Sequence, residues 1–303
     1  MSGLRLYPHA KINLGLKVLG PREDGYHEIR TRFQTVSFTD VLEMETAPRG
    51  VELEVEGASL PPDGSNLVMR AAAALREGRA GLPGARIRLL KSIPIASGLG
   101  GGSSDAAATL LGLDRLWELD LGPLELGRLA AGLGADVPFF LHGGTALGEG
   151  RGDRIRQLPD LRPYGICLVL PPYGSSTSDT YRRWKAPATR SSRAAPVEPP
   201  LEEDAAASES PASVHNDLQN LVLAEHPELR QVLEALYGAG ASAAAISGSG
   251  SSLFGIFASA SESHKFRASL DGRPFRVVEC VPVSKAQYPR ALGLLSGQRA
   301  GNP

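Results

Sequence analysis

Apolar and polar residues alternate along residues 11–19, which puts Ile12, Leu14, Leu16 and Val18 on one side of a half-buried strand. Residues 51–56 (VELEVE) and 85–90 (ARIRLL) alternate in the same way and predict two more strands. Between them the Ala-rich run 67–75 reads as a helix, with Asn66 or Ser65 as its N-cap. A second helix is expected to start near Ser103 or Ser104, and Leu110, Leu113 and Trp117 then share one face. A third runs from about Pro123 to Leu133, with proline in its first turn and Gly134 at its end.

A second set of elements follows Asp160. The apolar runs GICLVL (165–170), SAAAI (242–246), LFGIF (253–257) and FRVVECV (275–281) predict strands, and 227–237 and 260–270 predict helices. Strands and helices mix without regular alternation, which indicates an α+β chain. With 303 residues there is room for two domains, placed at 1–160 and 161–290 with a tail at 291–303. Residues 186–212 contain almost no large apolar side chain. Such a segment buries too little surface to offset its ordering entropy, so a disordered surface loop is expected there.

Charge and composition narrow the function classes. The net charge of −1 gives no electrostatic case for nucleic-acid binding, which needs a concentrated basic surface. No stretch is apolar for long enough to span a bilayer, and the first residues do not read as a secretory signal. Cys167 and Cys280 are far apart within apolar runs and read as buried core thiols. These features suit a cytoplasmic enzyme, and we expect a monomer or weak homodimer.

The segment Pro94-Ile-Ala-Ser-Gly98-Leu99-Gly100-Gly101-Gly102-Ser103-Ser104-Asp105 follows a predicted strand and opens a predicted helix. Glycines allow close backbone approach to a ligand, and the free N–H groups of a helix start attract anions. Ser103 and Ser104 add hydroxyls for phosphate oxygens or a magnesium ion. Two better-known phosphate loops do not fit. A P-loop requires Lys after its last glycine, where Ser103 stands, and the dinucleotide fingerprint requires glycine at that same position.

Pro-x3-Gly-Leu-Gly with Ser-Ser before an Ala-rich helix resembles the phosphate-binding motif of the GHMP kinases. The fuller GLGGGSSDAA is similar to that of the diphosphocytidyl-methylerythritol kinases among them. AKINLGLKVLGPREDGYHEIRTRFQTV (10–36), GADVPFF (134–140) with TALGEG (145–150), and SGSGSSLFGIF (247–257) resemble three further motifs of that family, in the same order. The resemblance covers residues 10–285. It implies an N-terminal domain like domain two of ribosomal protein S5 and a ferredoxin-like C-terminal domain, with the active site between them. It also implies ATP with Mg²⁺, and a cytidine diphospho-methylerythritol substrate phosphorylated on its 2-hydroxyl.

Lysine is usually a solvated surface charge, and an aspartate before proline usually a turn or cap residue. The resemblance reverses both readings for Lys11 and Asp136 and brings them together at the transferred phosphoryl group. A carboxylate there accepts the hydroxyl proton, and an ammonium beside it keeps it ionised. Asp105, in the first helical turn, reads as structural or near the metal. By the same resemblance Pro94, Gly98, Leu99, Gly100, Gly101, Gly102, Ser103, Ser104 and Asn66 serve ATP, with Ser104 as candidate metal ligand. Asn13, Tyr26, His27, Thr177 and Tyr181 serve the cytidylyl substrate, the two tyrosines sandwiching the base and His27 meeting its edge.

Overall fold

The computed structural model describes residues 3–161, 164–185, 214–267 and 274–294. The first elements are β1 (Leu4–Leu6), β2 (His9–Pro21), β3 (His27–Thr39), β4 (Val41–Ala47) and β5 (Val51–Glu56). Then come α1 (Leu67–Arg76), β6 (Gly84–Leu90), α2 (Gly101–Leu116) and α3 (Pro123–Leu133). A 3-10 turn (Val137–Leu141), β7 (Thr145–Gly150) and β8 (Arg154–Gln157) close this part. One sheet has the order β1-β4-β6-β5. Its apolar face, with Leu42, Met44, Ile87 and Leu89, packs against Val68, Ala71, Ala72 and Leu75 of α1 and Ala107, Leu110 and Leu113 of α2. The alanines keep both helices close to the sheet.

Asn66 is the N-cap of α1, its Oδ1 accepting the Val68 N–H at 3.0 Å. Helix α2 begins at Gly101, ahead of the expected Ser103. Gly100 sits at its N-cap in the left-handed region, and no side chain caps it. The start is set by glycine backbone geometry, which sequence rules built on capping side chains place too late.

The chain continues through β9 (Gly165–Leu170), α4 (Thr177–Arg183) and β10 (His215–Asn216), and β10 pairs in parallel with β2 at the edge of the second sheet. Its order is β10-β2-β3-β7-β8. Strand β2 corrects the half-buried reading: every residue from His9 to Leu16 is buried. Ala10, Ile12 and Leu14 pack against a third sheet, while Lys11 and Asn13 point into a cleft instead of water. Irregularities in the β2–β3 register bracket this stretch, between His9 and Lys11 and between Asn13 and Gly15.

The rest comprises α5 (Gln219–Glu225), α6 (Glu228–Gly238), β11 (Ala243–Ile246), β12 (Leu253–Phe257), α7 (Ala260–Arg267), β13 (Arg276–Cys280) and α8 (Tyr288–Ala291). The third sheet is antiparallel, ordered β11-β12-β9-β13. One face meets β2 and the other meets α6 through Leu229, Val232 and Leu236. Cys167 and Cys280 lie in these two different cores, both as free thiols. The chain then returns: Tyr288 and Leu292 join the first core. The architecture is the α+β fold expected. The segment 186–212 lies outside the described residues.

Candidate active site

Lys11 lies near the start of β2 with its side chain only 4% exposed. Its Nζ donates to Asn13 Oδ1 at 2.6 Å and to the Gly98 carbonyl at 2.9 Å, and it stands 3.4 Å from Asp136 Oδ2. Asn13 is held in turn, its Nδ2 donating to Thr31 Oγ1 at 2.7 Å. Both polar ends of the Asn13 side chain are thus engaged, and the residue sets where the ammonium sits.

Asp136 occupies the N-cap position of the 3-10 turn but makes no side-chain cap hydrogen bond. The turn aims its carboxylate at Lys11 instead, and Asp136 keeps 29% exposure toward the cleft. The local reading as a capping aspartate is thereby set aside.

The glycine-rich loop wraps the same point. Gly98 has φ +78°, and a Cβ there would lie 2.1 Å from the Ser247 carbonyl oxygen. Ser247 Oγ donates to the Gly98 carbonyl at 3.0 Å, and Ser252 N–H donates to the Ser97 carbonyl at 3.0 Å. The two glycine-rich motifs therefore lock together through backbone contacts. Leu99 points away, fully buried in the core between the second and third sheets, and only its carbonyl serves β2 by accepting the Lys11 N–H at 2.9 Å. Gly101 also faces inward: a Cβ there would lie 2.9 Å from Ile93 Cγ2 and 3.2 Å from Lys91 Nζ. Ser104 Oγ is buried without a hydrogen-bond partner.

Beneath the loop, Lys91 Nζ donates to Asp40 Oδ2 at 2.5 Å and to Asp105 Oδ2 at 2.7 Å. Burial pushes the Asp105 carboxyl up to about 7; Lys91 opposes the rise and Asp40 adds to it. Burial works against the Lys91 ammonium, and the charges of Asp105 and Asp40 outweigh it, leaving its pKa raised.

Lys11, Asn13, Lys91, Asp105, Asp136 and the glycine-rich loop line one cavity of about 1370 Å³. It runs from Asn66, Pro94 and Gly100–Ser103, past Lys11 and Asp136, to Tyr26, His27, Thr177 and Tyr181. Leu99 and Ser104 are not on its wall. At the far end the His27 ring lies 5.4 Å from Tyr181 and 5.8 Å, edge-on, from Trp184. Burial raises the Tyr181 pKa, and the charges of Asp136 and Asp217 add to the rise. Tyr26 is 52% exposed, and the Arg151 guanidinium lies 4.8 Å from its ring centroid. Thr177 Oγ1 is 2.9 Å from Ser249 Oγ, at the start of α4. Sequence reasoning missed Lys91, Arg151 and Trp184. A lysine just ahead of the loop, and an arginine after the GEG of β7, were their only signals.

The GHMP kinase N-terminal domain model matches residues 66–144, and the GHMP kinase C-terminal model matches 199–276. The 4-diphosphocytidyl-2-C-methyl-D-erythritol kinase of Moorella thermoacetica is 43% identical over 277 residues, covering 89% of this chain and 95% of that protein. The protein of the same name from Deinococcus radiodurans is 44% identical, covering 87% of each chain. Among solved structures, a 4-(cytidine 5'-diphospho)-2C-methyl-D-erythritol kinase superposes with a TM-score of 0.76 at 34% identity, over 92% of this chain and 99% of that one. A homoserine kinase from Cytophaga hutchinsonii reaches a TM-score of 0.70 at 18% identity, which shares the fold alone.

Proposed function

The chain belongs to the 4-diphosphocytidyl-2-C-methyl-D-erythritol kinases of the GHMP kinase group, and from that premise we propose how its cleft carries out the transfer. The γ-phosphoryl group of ATP moves to the 2-hydroxyl of the methylerythritol unit. A bond forms between that oxygen and the γ-phosphorus, the bond to the bridging oxygen of ADP breaks, and the hydroxyl proton passes to Asp136. Lys11 holds its ammonium 3.4 Å from the Asp136 carboxylate and neutralises charge gathering on the phosphoryl oxygens. Its own position is set by Asn13 and the Gly98 carbonyl. Little else is asked of the protein, because phosphoryl transfer rests mainly on positioning and electrostatics.

ATP takes the end of the cavity formed by Asn66, Pro94 and the glycine loop, with its phosphates at the N-terminus of α2. Mg²⁺ would supply charge neutralisation on the phosphates. The Ser104 hydroxyl, expected to meet the metal, is buried behind the cavity wall, so Ser103 on the wall would be the serine that meets the phosphates. The cytidine half takes the aromatic end: Tyr26 and Tyr181 offer ring faces, and His27 a hydrogen bond to the pyrimidine edge. Arg151 and Trp184, beside Tyr26 and His27, extend this wall. Among the described residues no helix is long and apolar enough to cross a membrane.

The observation that carries the reading is the buried Lys11 ammonium, which touches the phosphate loop at Gly98 and faces Asp136 within one cavity. The test measures ADP release with the cytidylyl substrate, homoserine and mevalonate in parallel. Release with the first alone is expected. Release with homoserine or mevalonate instead would reassign the substrate, and none with any of them would leave a binding module.

A further inference from the structure

The glycine-rich loop leaves the first sheet after β6 and re-enters regular structure in α2. Both of its ends meet the same buried ion cluster. At the entrance, Asp40 Oδ1 accepts the N–H groups of Ser92 and Ile93 at 2.5 and 2.9 Å. At the exit, Asp105 Oδ2 accepts Lys91 Nζ, which also donates to Asp40 Oδ2. Asp40 is itself fixed. It is the single residue between β3 and β4, and its N–H donates to the Pro8 carbonyl at 2.9 Å. The Lys91 N–H donates to the Glu56 carbonyl at 2.8 Å. The Asp40, Lys91 and Asp105 side chains are 0%, 4% and 3% exposed, so water does not screen the cluster.

We propose that Lys91, bridging Asp40 and Asp105, is a positioning residue that holds the two ends of the glycine loop at the separation the nucleotide phosphates require. The proposal rests on reading the loop as the ATP site. Two observations favour positioning over attraction. The one ammonium is already matched by Asp40 and Asp105, so the cluster offers no net positive charge to an incoming polyphosphate. The ammonium also lies directly under the loop, 3.2 Å from where a Gly101 Cβ would stand. The inward-facing Gly101 thereby acquires a reason: a side chain there would clash first with Ile93 and then crowd the Lys91 ammonium.

The test uses the full chain with ATP as probe, by calorimetry, and KM for the cytidylyl substrate as the internal control. In Asp105→Asn the amide oxygen still accepts from Lys91, so the exit stays tied and ATP affinity stays within about threefold of the parent. In Asp105→Ala the exit is untied, and ATP binds about tenfold or more weakly, the scale expected when a binding group is misplaced. Lys91→Met behaves like Asp105→Ala. The cytidylyl KM stays within about twofold in all three, because the aromatic end lies away from the cluster. If Asp105→Ala does not fold, Asp105→Ser, too short to reach Lys91, carries the same expectation. Folded Ala or Ser variants that bind ATP as well as the parent, or better, overturn the proposal and leave the cluster a purely structural ion group. Losses in ATP and cytidylyl binding together overturn it too. Absence of ATP binding in the parent would reject the reading of the loop, an outcome distinct from either.

Discussion

Lys11 Nζ stands 3.4 Å from Asp136 Oδ2, with the ammonium buried and the carboxylate open to the cleft. The two come from unrelated elements, Lys11 near the start of a long strand and Asp136 at the N-cap of a 3-10 turn. The asymmetry suits a transfer reaction. The cation is held by Asn13 and Gly98, while the carboxylate faces the space an acceptor hydroxyl would enter.

Replacing Asp136 with Asn removes the proton acceptor and preserves shape. We expect kcat to fall by about 10²–10⁴-fold, the usual range for losing a general base, with ATP affinity preserved. Single-turnover kinetics and calorimetry on the same preparation check both halves. Turnover near the parent's would take Asp136 out of the mechanism.

Gly98→Ala tests the junction of the two glycine-rich motifs. The backbone at Gly98 is left-handed, and the added carbon meets the Ser247 carbonyl. A destabilisation of about 1–3 kcal/mol in chemical denaturation is expected, with weakened ATP binding. Gly102→Ala meets nothing nearer than Leu67 Cδ1 at 3.5 Å and should leave the denaturation midpoint unchanged. Equal midpoint shifts for both would refute the steric argument.

The aromatic end is tested by Tyr26→Ala. Base–aromatic stacking of roughly 1–3 kcal/mol corresponds to a rise of about 5- to 150-fold in the cytidylyl KM, with the ATP KM almost constant. Tyr181→Ala should act in the same sense. His27→Ala should instead relax discrimination between cytidine and uridine forms of the substrate. If Tyr26→Ala moved both KM values together, or neither, the hairpin tip would be only a turn.

The two thiols offer a check on the packing of the third sheet. Burial pushes the Cys167 thiol up to about 12 and raises Cys280 as well. Neither should react with a thiol reagent at pH 8 in the folded protein, and both should react in denaturant. Rapid labelling of the native protein would show that one of the two cores is open.

Much of this molecule was legible locally. Helix α3 has the bounds its proline and glycine predict, Asn66 caps α1, and VELEVE alternates as a half-buried strand should. The four motifs carry the signature of the kinase family in the sequence alone. Such features depend on neighbours in the chain, through turn geometry, capping and side-chain period, so they can be read from a single sequence. Strand β2 marks the limit of that reading. Its alternation separates two sets of side chains correctly, but period alone does not say whether the polar set meets water or a cleft covered by another sheet. Gly101 and Lys91 show the same limit. The glycine reads as an open phosphate-loop residue and faces the interior, and the lysine, which no sequence pattern marks, sits buried between Asp40 and Asp105. Those partners come from a strand junction and a helix turn that only folding brings together. Which charges become buried, and against what, is decided by the packing of distant elements, and that is where the tertiary structure alone placed Lys91 beneath the loop.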